Sequence, residues 1–170
     1  MSQTNKKIIV ILICCFLFSG CQTYYLGVRG DWLKKASLQD AGWMAVGAVT
    51  SIAVHEGAHM LTCELVNADY TFRQKGWGFE VAYDGDLSES DHRWINRSGM
   101  LVQNGVGLFL GDSYFARGYH FHSTLSTWAY PALFRDRGDL YEIDKHGGNA
   151  NFEWAIYSLM GAHNLFKIKW

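Results

Sequence analysis

Hydrophobic and polar positions alternate along this chain with periods that change from segment to segment, and those periods predict its elements. From 38 to 66 the apolar positions recur at helical spacing. Ser37 followed three residues later by Asp40 is a capping-box-like start. The body of this helix, 41–54, is crowded with small residues: Gly42, Ala45, Gly47, Ala48, Ser51 and Ala53. Each glycine costs about 1 kcal/mol of helix propensity against alanine. A helix that accepts this is expected to be one against which other backbones pack closely, here the central and buried helix.

Beyond it the period shortens to two. Phe72 and Gln74, then Phe79, Val81 and Tyr83, alternate around Lys75-Gly76-Trp77-Gly78, which predicts a β-hairpin over 70–83. An acidic stretch, 84–93, reads as a solvated loop. Helical spacing returns at 98–110 and at 123–134, the latter interrupted near Pro131. A polar, glycine-containing loop is expected over 135–151 and a last helix over 152–167. After the first helix the apolar runs fall short of a membrane span. The expectation is a compact, largely water-soluble domain, mainly α (α+β), with one hairpin.

Composition narrows the class. The chain has 170 residues, 49 % hydrophobic and 18 % charged, with a net charge of −1. That suits one globular domain. It excludes a disordered chain, which combines low hydrophobicity with high net charge. The lack of a basic excess argues against nucleic acid as a partner.

The first twenty residues read as an address. Lys6 and Lys7 precede an apolar stretch at 8–18, followed by Phe18-Ser19-Gly20-Cys21. Such a stretch is too short for a spanning helix, which needs about 20 residues. A small-residue cleavage site ending in cysteine resembles the lipobox of bacterial lipoproteins. That resemblance implies a signal peptide over 1–20, a lipid anchor on Cys21, a lipidated tether over 21–36 and a folded domain over 37–170. Gln22 stands where that family's inner-membrane signal is Asp, which implies an outer-membrane lipoprotein facing the periplasm. Loss of residues 1–20 removes two lysines and no acid, leaving 13 basic against 16 acidic residues, a net −3. Cys63 would be the one remaining free thiol, so packing without an internal disulfide must hold the exported domain together.

The chemistry gathers in His55-Glu56-Gly57-Ala58-His59. At about 100° per residue, positions 55 and 59 fall about 40° apart on one helical face. Two imidazoles so placed can reach one metal ion, and Glu56 beside them can take a proton from a water at that ion. Burying His, Glu and His in an apolar helix is costly unless a partner such as a metal ion compensates.

Over residues 55–59 the chain resembles the HExxH zinc metallopeptidases, which implies a small zincin-like domain, Zn²⁺ as cofactor and a protein or peptide as substrate. The metzincin pattern would need Gly and His where Thr62 and Leu65 stand, and the second motif of thermolysin-like enzymes is absent. Glu64 lies half a turn of rotation from His55 and faces away. The order of elements is similar to the site-2 protease core: HExxH helix, hairpin, apolar helix with Gly and Asn, then an aspartate. By that resemblance Asp139, in Gly138-Asp139-Leu140, is the first choice for third ligand. Glu142, Asp144, His146 and His163 remain alternatives.

His163 has its own argument. Phe152, Ile156, Leu159, His163 and Phe166 form one apolar stripe on the last helix, so His163 is expected to point inward, as a core residue, a ligand or a catalytic oxyanion donor. Gln103 and Asn104 interrupt an apolar run, and Asn104 is a candidate for holding substrate, the alternative being a buried amide bonded to a neighbouring helix. His120 and His122, two apart, would share one side of a strand, but they read rather as half-exposed loop residues, and His92 as solvated. The reading is an exported, lipid-anchored zinc metallopeptidase: His55, His59 and Asp139 on the metal, Glu56 as general base, His163 as catalytic donor. Its rival is a non-enzymatic envelope lipoprotein that docks a partner, with a structural metal or none.

Overall fold

Small residues decide how the first helix packs. The computed structural model describes residues 37–75, 78–133 and 136–168; the signal segment, Cys21 and the tether lie outside the described residues. Helix α1 (Leu38–Leu65) turns Gly47, Ser51, Ala58, His59 and Cys63 inward. Gly47 meets the backbone carbonyl of Phe115, and Gly118 meets that of Met44. A side chain at either glycine would collide with backbone. This close approach leaves the bulky residues outside: Trp43, Val46, Val49 and Leu61 are exposed. The expected all-round burial of this helix is therefore corrected to burial along one stripe.

Strands β1 (Asp69–Lys75) and β2 (Gly78–Asp84) form an antiparallel hairpin, with Tyr70 opposite Tyr83 and Phe72 opposite Val81. Helix α2 (Glu89–Phe109) starts well before residue 98. Ser88 caps it: its hydroxyl accepts from Asp91 N at 3.2 Å, and Ser88 N donates to Asp91 Oδ2 at 3.1 Å. Part of the acidic stretch expected to be loop is thus a first helical turn, where Glu89 and Asp91 favour the positive end of the helix dipole. Helix α3 (Tyr114–Leu133) runs through Pro131. Proline lacks the N–H that would bond four residues back. The carbonyl of Thr127 accepts the Trp154 indole N–H instead, at 3.0 Å. Helix α4 (Asp139–Lys145) lies inside the expected polar loop, and α5 (Ala150–Phe166) starts at Asn149, whose side chain accepts from Phe152 N.

The described residues thus make a mainly helical α+β domain with one hairpin. Helices α1 and α5 each pack against both α2 and α3. Met44 beside Gly118 and Ser51 beside His122 show α1 and α3 running the same way. Helices α2 and α5 run oppositely, with His59 beside Ile95, Gln103 beside Ser51, Trp154 beside Thr127 and Gly161 beside Thr124.

Two apolar clusters form where α1 ends. Met100, Leu140, Ile143 and Tyr157 make one, and Cys63, Ala68 and Ile95 make the other, under the hairpin. Much of the rest of the bundle interior is polar: Ser51, Gln103, Asn104, His120, Ser123, Thr124, Thr127 and Asn164 are all buried, with Ala116 and Tyr119 among them. The outer face is correspondingly apolar. On α5, Gly161 and Asn164 fit closely against Thr124 and Gly107, so the stripe of Phe152, Leu159, His163 and Phe166 faces out. The inward orientation expected for His163 is reversed. No described helix is long and apolar enough to cross a membrane.

Candidate metal centre

Successive turns near the end of α1 supply His55 and His59, and the first residue of α4 supplies Asp139, far away in sequence. One ligand atom from each lies within 4.8 Å of the others, so the three could hold a metal ion. His55 Nε2 and His59 Nε2 are 3.1 Å apart. Asp139 Oδ2 is 3.1 Å from His55 Nε2, and Asp139 Oδ1 is 3.4 Å from His59 Nε2.

The surroundings aim these atoms. His59 Nδ1 donates to the Ile95 carbonyl at 2.7 Å, which leaves the Nε2 lone pair facing the centre. His55 Nδ1 donates to Gln103 Oε1 at 3.3 Å, with the same result. Gln103 in turn donates through Nε2 to the Ser51 carbonyl (3.1 Å) and hydroxyl (2.8 Å). Ser51 Oγ passes the chain on to His122 Nδ1 at 2.9 Å. Asp139 is held by its backbone, Asp139 N donating to the Tyr130 hydroxyl at 2.6 Å. Gly138 precedes it at φ 81, a left-handed conformation with the Tyr130 hydroxyl where a Cβ would stand.

Two nitrogen lone pairs and a carboxylate brought this close repel unless a cation lies between them. Asp139 Oδ2 is buried and makes no hydrogen bond. Burial disfavours charge on His59, yet the Asp139 carboxylate and the Ile95 carbonyl outweigh it and raise the imidazole to about 9. Burial likewise works against ionised Asp139, and the positive charge on His59 overcomes it, holding the carboxyl well below its usual range. Without a metal, a proton on His59 supplies the missing positive charge. Gly99 on α2 leaves room for the rings: a Cβ there would lie 2.7 Å from His59 Cε1 and 2.8 Å from His55 Cε1.

Glu56 stands beside the ligands and accepts from Val81 N on β2 at 3.1 Å. Burial raises its carboxyl above the usual range, though the two neighbouring histidines oppose this. Next to it is a cavity of about 120 Å³, lined by His55, Glu56, Gln103, His122 and Tyr130 among polar groups, with Ile52 and Met100 as apolar wall.

Of the residues singled out from sequence, His55, Glu56, His59 and Asp139 come together. Two others are corrected. His163 is exposed on α5 and takes no part in the cluster. Asn104 is fully buried and donates to Met100 O and Thr127 Oγ1; it is a helix-packing amide and does not line the cavity. The other candidate ligands are elsewhere. Asp144 is exposed and Glu142 bonds Lys145, while Glu64, expected to face away, is exposed and accepts from the Tyr70 hydroxyl. His146 lies 2.6 Å from Glu89 and stacks on His92, ring centroids 3.9 Å apart. His92 is half-buried by that stack, so its expected solvation is revised. His120 and His122 are helical. Their spacing, read with period two, suggested a strand or loop; read at helical spacing, His122, Ser126 and Tyr130 share the face that lines the cavity. Neither known family models, nor curated protein sequences, nor solved structures give a match to this chain.

Proposed function

We propose that this chain is an exported, lipid-anchored zinc-dependent hydrolase of peptide bonds. The observation that carries the reading is the convergence of Asp139 on His55 and His59, with Glu56 alongside and a cavity at hand. A nitrogen-rich set of two imidazoles and one carboxylate suits zinc, and three protein ligands leave the open position that distinguishes a catalytic site from a closed structural one. A zinc ion held there would acidify a water and polarise the scissile carbonyl.

The chain's own groups supply the rest. Glu56, kept from ready ionisation by burial yet hydrogen-bonded to Val81 N, is poised to take a proton from the attacking water and return it to the departing amine. Ser51 Oγ lies 2.9 Å from His122 Nδ1, and with the hydroxyl as donor the imidazole would carry its proton on Nε2. Lining the same cavity, that N–H is available to a carbonyl oxygen as negative charge develops on it. His163, expected from sequence to be the donor, is exposed on the outer face of α5. Ile52 and Met100 offer apolar contact to a substrate side chain. The resemblance to HExxH metallopeptidases, and to the site-2 protease order of elements, supports the same reading, as does the lipobox-like Cys21 for the anchor.

The test is Glu56→Gln, assayed for metal content and for cleavage of a quenched-fluorescent peptide library. It should keep its metal and lose turnover by several orders of magnitude. Undiminished cleavage would sink the mechanism. A wild-type protein that binds metal and cleaves nothing would favour the non-enzymatic envelope protein, with the same three ligands in a structural site.

A further inference from the structure

Between the four long helices much of the interior is polar, while many large apolar side chains stand outside. Val49 is 65 % exposed, Leu159 72 % and Phe166 88 %, and Val46, Leu101, Val102, Leu108, Phe121 and Trp128 are exposed with them. Meanwhile His120, Asn104, Asn164, Ser123 and Ser51 are fully buried. Charge is sorted just as sharply. Segments 41–54 of α1, 98–109 of α2, 118–133 of α3 and 154–166 of α5 contain no Asp, Glu, Lys or Arg.

The helix directions bring these four segments level with one another. At one end of the band stand Asp40, Asp112, Arg117 and Lys167; at the other stand Arg93, Arg97 and Glu153, the hairpin and α4. At about 1.5 Å per residue the band is roughly 18–24 Å tall. Exposed tryptophans mark its rims, Trp43 toward the first end and Trp94 and Trp128 toward the second.

We infer that this uncharged band is immersed in the acyl chains of a phospholipid bilayer, with the metal centre at its polar rim. The inference is independent of the hydrolase reading. Three observations select lipid as the occupant over another protein. Exposed apolar residues occur on all four long helices, and α1 and α5 flank the α2–α3 pair on either side, so one partner docking on one face would leave the other bare.

Several polar groups of the band bond to backbone carbonyls, as a surface without water requires, whereas deep in the interior His120 Nδ1 and Nε2, Asn104 Oδ1, Asn164 Oδ1 and Ser158 Oγ are buried without a hydrogen-bond partner. Thr50 donates to Val46 O of its own helix, Ser126 to Ser123 O, Thr124 to Gly161 O across helices, and Asn164 to Asn104 O. Even the half-exposed Trp128 turns its N–H to Ser158 O. Finally, small residues draw the helices together, Gly47 and Gly118 between α1 and α3, Gly107 of α2 against α5 and Gly161 of α5 against α3, which is how helices associate where burial from water gives no driving force.

Hydropathy averaged along each helix mixes the polar inner stripe with the apolar outer one, so no single helix registers as a span. The band is shorter than the hydrocarbon core of about 30 Å, a mismatch that a bilayer meets by thinning around it.

The test uses the full-length chain in vesicles of phosphatidylethanolamine and phosphatidylglycerol, photolysed with a membrane-partitioned carbene probe and mapped by peptide mass spectrometry. Adducts are expected on the outer positions of both flanking helices, Val46 and Val49 on α1 and Leu159 and Phe166 on α5, and not on the hairpin or residues 89–93. Adducts confined to residues 1–36 would mean that the anchor alone meets lipid and would overturn the inference. So would unlabelled helices whose outer faces cross-link to another copy of the chain, because the band would then be a protein interface. Neither result depends on catalysis, so failure here is separable from failure of the peptidase reading.

Discussion

Gly99→Ala adds one methyl group at the point where α2 crosses the HExxH turn of α1. Its Cβ would lie 2.7 Å from His59 Cε1 and 2.8 Å from His55 Cε1. Carbon atoms rest at about 3.5–4.0 Å, so the rings must retreat by roughly 0.7–1.3 Å. A metal site tolerates about 0.2 Å in its ligand distances. Tied through Nδ1 to Ile95 and Gln103, the imidazoles cannot move that far and still aim at a common point. Metal affinity should therefore fall by at least the 10–100-fold typical of a lost supporting contact. Overpacking of this kind costs about 1–3 kcal/mol, or roughly 2–12 °C in melting temperature for a domain of this size. Gly105→Ala on the same helix is the control: nothing stands within 4 Å of its Cβ, so the gain in helix propensity should stabilise by about 1 kcal/mol. Competition against a chromogenic chelator gives the affinities, and melting of the metal-free proteins gives the stabilities. Wild-type affinity in Gly99→Ala would refute the placement of both imidazoles against α2.

Two further predictions follow from the same contacts. Gln103→Ala removes the group that orients His55 and links it through Ser51 to His122; metal affinity should drop about 10–100-fold with the fold intact by circular dichroism, and unchanged affinity would show that Gln103 positions nothing. In the metal-free protein His59 is raised from 6.5 to about 9, so the stability it contributes is present below 6.5 and fades as pH rises through about 9. Since zinc must displace that proton, zinc affinity should climb about tenfold per pH unit from about 7 and level off near 9. A flat profile over that window would contradict protonation of His59 in the free site.

How much could be read without coordinates depended on the range of the interaction concerned. HExxH was legible because its logic is local: the pitch of a helix alone puts His55, Glu56 and His59 together. The hairpin was legible for the same reason, since period two and a glycine-rich turn are short-range signals, and the mainly α (α+β) class followed from the two periods together. Helix limits were legible only in part. The start of α2 was hidden inside an acidic run because Glu89 and Asp91 serve a cap that looks, in one dimension, like a solvated loop.

Tertiary structure alone decided the rest. Which downstream group would reach the histidines depended on where α4 docks: periodicity singled out only His163, whose stripe faces out, and drew no distinction among Asp139, Glu142, Asp144 and His146. The choice of Asp139 came from a resemblance; the contacts that bring it to the site are Tyr130 and Gly138. The sense of the apolar stripes was likewise undetermined by sequence, because periodicity identifies a face without saying whether it meets the core or the surroundings. In α5 the face with small and polar residues turned inward and carried His163 out. His122 was brought to the cavity by α3 lying parallel to α1, a relation set by Gly47 and Gly118, where two backbones touch because neither carries a side chain.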